Sequence, residues 1–206
     1  MAIVKPNPQM EFLVKDSGVL IANFKAKYDA IVDLDGLIDA ILEEMDTENY
    51  LGITRGGVTF GMEAEARIVE YDGRRVRSVG DFSIDSATPT ISTNLLVHSI
   101  PNLQRVQPMS DTTEATTANT AKTTMRSRLG SPRPTDYEES ISWIREDVGG
   151  GIKIQTVFNA INVSTAAETG ADKSESELPV EFIGTAKTFS DTSHAPHETV
   201  IYRLTD

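Results

Sequence analysis

Apolar residues recur at every second position along most of this chain, and one stretch alone repeats them at helical spacing. Between residues 33 and 46, Leu34, Leu37, Ile38, Ile41, Leu42 and Met45 follow the i, i+3, i+4, i+7 pattern of a helix with one buried stripe. Asp33 or Asp35 can cap it by accepting a free N–H of the first turn, and Gly36 weakens its start. Asp39, Glu43, Glu44 and Asp46 fall on the other face, which reads as solvated.

Strands are predicted on both sides of this helix. Glu11–Lys15 and Val19–Phe24 flank Asp16-Ser-Gly18, a turn composition, and predict a hairpin. Val58, Phe60, Met62, Ala64, Ala66 and Ile68 are apolar, while Thr59, Gly61, Glu63, Glu65 and Arg67 stand between them, so this strand is half-buried with one polar face. Tyr71-Asp72-Gly73 supplies a hairpin turn, with a return strand near Arg74–Phe82. A further strand alternates over Ile91–His98, with Pro89 marking its start or an edge, and Pro101–Val106 fits one short helical turn. The last strands fall at Ser140–Ile144, Gly151–Phe158, Leu178–Ile183 and Glu198–Arg203, with Gly149-Gly-Gly151 a turn and 164–177 a polar loop.

Two segments break the alternation. Pro6 and Pro8 make residues 1–9 an extended arm. Residues 107–136 hold seven threonines between Thr112 and Thr124, and then Gly130-Ser-Pro-Arg-Pro134. With no large apolar residue in that Thr-rich run, the segment reads as a long mobile loop, ordered by a partner if at all. The whole predicts one mainly β domain over residues 1–206, a sandwich or barrel with a packed helix. Its parts are an arm and hairpin (1–24), an acidic helical segment (25–50) and the Thr/Pro-rich loop (107–136).

Composition narrows the chemistry. The 206 residues include no cysteine, which removes disulfides, thiol nucleophiles and Cys-type zinc sites. A formal charge of −12 argues against wrapping nucleic acid. Eight acidic and no basic side chains lie between Asp29 and Glu48, so that segment supplies −8 of the total. The longest apolar run, Gly18–Ala22, is far short of a membrane span, and no membrane partner is expected. Phosphate-cradling, dinucleotide-binding and nucleophile-elbow motifs are absent from the sequence. His194 and His197 flank Pro196, which prevents a helix from presenting both. Aligning Gly36 on a calcium loop puts Ile31 and Leu42 where oxygen ligands must stand. No cofactor, metal site or catalytic residue is therefore expected.

The run Leu51-Gly-Ile-Thr-Arg-Gly-Gly-Val-Thr-Phe60, the strand through Ile68, Val69-Glu-Tyr-Asp-Gly-Arg74 and Asn94-Leu-Leu-Val97 resemble the major tail tube proteins of long-tailed (siphovirus-type) bacteriophages. The likeness resumes at Ser142-Trp-Ile144, Gly150-Gly-Ile-Lys-Ile154, Phe158-Asn-Ala-Ile161 and Leu178-Pro-Val-Glu-Phe182, covering roughly residues 51–106 and 137–203. In that family the Thr-Arg-Gly-Gly run follows a short hairpin directly; here residues 25–50 intervene. The resemblance implies a non-enzymatic β-sandwich subunit with a flanking helix, forming hexameric rings that stack into a hollow conduit for viral DNA. It implies tail tip, tape measure and terminator proteins as partners, transient passage of DNA without specific binding, and a place in the virion tail after assembly in the host cytoplasm. On this expectation Glu63, Glu65 and Arg67 face the lumen. Pro6, Pro8, Thr116, Thr120, Arg126, Pro132 and Pro134 lie at contacts between subunits or rings. Two other readings stand beside it. One is a related ring protein (a tail terminator, head–tail connector or type VI secretion-like tube protein). The other is a β-sandwich glycan-binding module, which would want clustered exposed aromatics.

Overall fold

A computed structural model describes residues 18–68, 82–96, 100–107, 109–117, 120–147, 150–164, 177–187 and 194–203. The chain is mainly β and its strands pair antiparallel. In order come β1 (Val19–Ala22), α1 (Lys25–Tyr28), α2 (Leu34–Met45), β2 (Tyr50–Ile68), β3 (Phe82–Leu96), α3 (Ile100–Val106), β4 (Ser110–Thr117), β5 (Thr120–Ser127), β6 (Glu138–Asp147), β7 (Gly151–Asn162), β8 (Leu178–Ile183) and β9 (His197–Tyr202). The expected first strand at Glu11–Lys15, Pro6, Pro8 and the Asp72–Gly73 turn lie outside the described residues.

Hydrogen bonding joins seven strands in the order β6-β1-β2-β3-β8-β7-β9, and β6 pairs also with β7. Six strands thus close a circuit, β1-β2-β3-β8-β7-β6 and back to β1. All six contribute to one core: Leu20, Leu51, Ile91, Trp143, Val157 and Phe182 are among its members. Val106, at the end of α3, joins them. Closure gives each strand two neighbours over part of its length, which is the alternative to leaving edges open.

A second core lies on the other face of β1, β6 and β7. Val19 and Ile21 alternate with Leu20 and Ala22, so β1 is buried on both faces and reads as a continuous apolar run. Ile144, Ile152 and Ile154 continue this second face, and α2 covers it with Leu37, Ile38 and Ile41. Asp33 is the cap, its carboxylate accepting from the Gly36 N–H at 2.7 Å. Tyr28 closes the far side. Its hydroxyl lies 2.5 Å from Glu198 Oε1 and 3.0 Å from Thr156 Oγ1, and burial followed by Glu198 pushes its pKa up, so it stays a neutral donor.

Glu44 departs from the expected solvated face. It is buried on α2, where Lys27 Nζ lies 2.6 Å from Oε1, and Thr47 Oγ1 and Asn49 Nδ2 donate to Oε2 at 2.7 and 3.0 Å. Burial alone would raise its pKa, but the bonds from Lys27, Thr47 and Asn49 outweigh this and lower it. A carboxylate with a lowered pKa stabilises the fold fully above its ordinary value of 4.5, and that contribution is lost as pH falls through the lowered value. Glu44→Gln is therefore expected to cost about 1–2 kcal/mol at neutral pH and to flatten the acid limb of stability. Urea-unfolding midpoints between neutral pH and acid check this; parallel curves for the two proteins would refute the role.

Candidate assembly surface

β2 and β3 pair from Ile53–Leu96 out to Ile68–Phe82. Their other neighbours stop much earlier. β1 leaves β2 at Ile53, and β8 leaves β3 at Thr90, after which the Gly184 N–H still reaches the Pro89 carbonyl at 2.9 Å. The two strands then run on as a two-stranded ribbon through Met62–Ile68 and Phe82–Pro89, roughly 20 Å at strand rise. Among the described residues no third strand pairs with this part. The return strand expected near Arg74–Phe82 lies, but for Phe82, outside the described residues, and the strand expected over Ile91–His98 begins earlier, at Phe82. Pro89 sits inside it, where the pairing with β8 has ended and no ladder donor is needed.

Two irregularities shape the ribbon. Gly56 and Gly57 are an excursion between the Arg55–Asn94 and Val58–Thr93 pairs. Both have positive φ (77° and 100°), and Thr93 Oγ1 donates to the Gly57 carbonyl at 2.9 Å. An added Cβ would meet nothing within 4 Å at either, so the dihedral angle, not space, calls for glycine. Beyond it, Val58 and Phe60 pack against the first core. The second irregularity is a bulge between Glu65 and Ala66, which leaves Asp85 without a partner in the register. On β3 the apolar positions switch phase, from Phe82 and Ile84 to Ala87 and Pro89. The bulge absorbs that switch.

One ribbon face is consequently apolar throughout. Met62 pairs with Pro89, Ala64 with Ala87, Ala66 with Ile84, and Ile68 with Phe82. Outside the body this face is uncovered: Met62, Phe82 and Ile84 are 48%, 58% and 66% exposed. The other face is polar, with Glu63 opposite Thr88, Glu65 opposite Ser86 and Arg67 opposite Ser83. Arg67 Nε lies 3.0 Å from Asp85, and Ser86 Oγ donates to Glu65 at 3.3 Å. Glu63, Glu65 and Arg67 therefore share one exposed face, as the alternation predicts.

The Thr-rich segment corrects the expected mobile loop of 107–136. β4 and β5 form a regular hairpin, from Ser110–Ser127 to Thr117–Thr120, as a separate two-stranded sheet. Threonine packs well on a pleated strand, and pairs such as Thr113–Thr124 supply that packing without a buried core. Thr116 and Thr120 stand on opposite faces of it, and Arg126 faces Asp111. Arg128 ties the foot of the hairpin down: Nη2 donates to both Asp136 oxygens at 2.7 and 2.6 Å, and Nε lies 3.4 Å from Asp111. Burial would raise the Asp136 pKa, but the Arg133 backbone N–H and Arg128 lower it. Pro134 opens the short 3-10 turn that carries Asp136. Pro132 lines a groove of about 700 Å³ between this foot and the β7–β8 junction.

Sequence reasoning missed three parts of this surface: the uncovered apolar face, the phase-restoring bulge and the Arg128–Asp136 clamp. The phase switch at Asp85-Ser86 was the available signal for the first two. Among the described residues no cluster of His, Cys, Asp or Glu could hold a metal ion, and no helix is long and apolar enough to cross a membrane. Protein-family models give no match to this chain, and neither do the curated proteins.

Arg128→Ala removes charge-assisted bonds of about 1.5–3 kcal/mol from the hairpin foot while leaving both cores intact. Trypsin cleavage at Lys122 and Arg126 is expected to accelerate by about tenfold or more, with little change in the global unfolding midpoint. Unchanged cleavage would show that something else holds the hairpin.

Proposed function

We propose that this chain is the structural, non-enzymatic subunit of a phage tail tube. The observation that carries the reading is the β2–β3 ribbon, which leaves the body with neither outer edge paired among the described residues and with one apolar and one polar face. Unpaired strand edges are templates for further pairing, and a closed ring of copies is the arrangement that uses them all. Edge-to-edge pairing of ribbons gives a hexameric ring whose inner wall is a continuous barrel, and rings stack into a hollow tube. The sandwich architecture of that family, two sheet layers with a helix flanking them, is compatible with a flattened form of the closed circuit.

In this reading Glu63, Glu65 and Arg67 line the lumen. Glu63, Glu65 and Asp85 against Arg67 leave the wall net negative, and a polyanion slides past such a surface without adhering. The hairpin residues Thr116, Thr120 and Arg126, with Pro132 and Pro134 at its foot, lie at contacts between subunits, and Pro6 and Pro8 belong to the same class of contact. Tail tip, tape measure and terminator proteins meet the tube at its ends and along its bore, in the virion and earlier in the host cytoplasm. The hairpin supports this reading as well, because an isolated two-stranded sheet gains most from a neighbour's strands.

Concentrated protein, alone or seeded with a tail-tip complex, is expected to form hollow tubes in negative-stain micrographs. A strictly monomeric species under every seeding condition would refute the proposal. The lumen assignment has its own test. Tubes of the Glu63→Lys, Glu65→Lys double variant are expected to retain DNA that nuclease cannot reach, whereas wild-type tubes retain none. Nuclease-sensitive DNA on the variant would put these residues on the outer wall.

A further inference from the structure

The apolar pattern at Glu11–Lys15 predicts a hairpin with the run that begins at Val19, yet β1 offers it no edge. One edge of β1 pairs with β2 over Val19–Ile21, and the other pairs with β6 over Val19–Ala22. The chain also turns out of the strand at Gly18. Its φ is +99°, a Cβ there would lie 2.5 Å from the Ile144 carbonyl oxygen, and Thr54 Oγ1 donates to the Gly18 carbonyl at 3.1 Å. The segment before Gly18 is thus left to pair elsewhere.

One edge of the packed wall is open. β9 pairs with β7 from His197–Val157 to Tyr202–Ile152, and among the described residues no strand pairs with its other side. Alternation gives β9 two unlike faces. Val200 and Tyr202 pack against the second core, whereas Thr199 and Ile201 are exposed. The second core is itself unfinished at this margin: the Tyr202 hydroxyl donates to the Ile31 carbonyl at 3.0 Å, and the next residue, Val32, is 92% exposed.

We infer that Glu11–Lys15 adds as a strand to the open edge of β9 on a second copy of the chain. This goes beyond the tube reading, since donation of a strand from one copy to another requires neither a ring nor a bore. The pattern fits the site in phase. Phe12 and Val14 share one face of the segment, and Glu11, Leu13 and Lys15 share the other. With Phe12 and Val14 beside Val200 and Tyr202, the second core continues onto the donated strand and toward Val32. Leu13 then stands beside Thr199 or Ile201, and Glu11 and Lys15 reach solvent. A slip of one residue would turn both charges onto the core, so the register parity is fixed. Reach assigns the edge to a second copy. Val19, Ile144, Ile154 and Val200 form one row across β1, β6, β7 and β9, so a strand beyond β9 lies four spacings from β1, roughly 19 Å. The three links from Lys15 to Gly18 span at most about 11 Å. Backbone hydrogen bonds supply the affinity of such an added strand, and its alternating side chains supply the specificity.

The chain has no cysteine, so engineered pairs report without background. Leu13→Cys mixed with Ile201→Cys, or with Thr199→Cys, is expected to give covalent heterodimers under mild oxidation. Adding Phe12→Pro and Val14→Pro to the Leu13→Cys chain is expected to cut their yield about tenfold, because proline supplies no N–H to the edge. A yield that the prolines leave unchanged, or 13–13 or 201–201 bonds dominating, would overturn strand donation. So would a 13–201 bond that forms within one chain of the double variant at every dilution. Tubes that form with no bond from position 13 would overturn donation while leaving the tube reading standing. Bonds from position 13 to 199 or 201 in small oligomers that never form tubes would support donation and count against the tube.

Discussion

Every strand must find partners for the backbone groups along both of its edges, and the rest of this structure follows from where that demand is met. Within the body it is met internally: six strands pass hydrogen bonds around a circuit, and β7 divides its second edge between β9 and β8. Among the described residues it is left unmet at the outer edge of β9, which pairs with β7 alone, and along two projecting ribbons, the outer part of β2–β3 and the β4–β5 hairpin. Water can satisfy exposed groups, so none is unstable for that reason. Each nevertheless presents a surface that another strand can complete. A chain that closes one barrel and then extends two ribbons past it has its pairing capacity concentrated where copies can meet.

A projecting ribbon directs assembly only if its exit is fixed, and the body fixes it from several sides. Val58 and Phe60 carry the apolar face down into the first core, and Phe60 packs against His197 of β9 with ring centroids 5.8 Å apart. Gly184 admits the close approach of its neighbours at the base: a Cβ there would lie 2.9 Å from the Pro196 carbonyl oxygen and 3.0 Å from Pro89 Cγ. On the far wall, the second core under α2 keeps β1, β6 and β7 aligned, with Glu44–Lys27 and Tyr28–Glu198 at its margins. The ribbon is thus a stiff extension of a packed wall at its root, and the Gly56-Gly57 excursion, held by the Thr93 hydroxyl, lies below it within the body.

Periodicity made much of this legible. The helix, its Asp33 cap and nearly every strand stand close to where alternation or helical spacing places them, because one face of each element is buried and the pattern records that burial. The failures share a cause. The Thr-rich hairpin was invisible to an argument from buried area, since it is held by strand propensity, cross-strand pairs and an arginine clamp. Glu44 looked solvated because Lys27, from the preceding helix, and Asn49, beyond the helix end, stand at no helical spacing from it. Strand closure, too, depends on the β6–β7 and β7–β8 pairings, and local pattern carries no information about which distant strands meet.

The distribution of charge bears on the proposed conduit in a way the total of −12 obscures. Asp33, Asp35, Asp39, Glu43 and Asp46 are exposed on or beside α2, which covers β1, β6 and β7, whereas the ribbon belongs to β2 and β3. The helix acids therefore concern the surface over the second core, and burial with Lys27 removes Glu44 from that field. The polar ribbon face has a far smaller balance, Glu63 and Glu65 with Asp85 against Arg67. In the proposed ring, symmetry changes the weighting. Each ribbon charge is repeated around a narrow bore at every level of the tube, where fields from facing walls add, while the helix charges are spread over a wide outer surface and screened within about 10 Å. In that proposed ring a modest local excess on the ribbon face would govern what passes through, and the large excess on the helix would govern how the particle meets solvent.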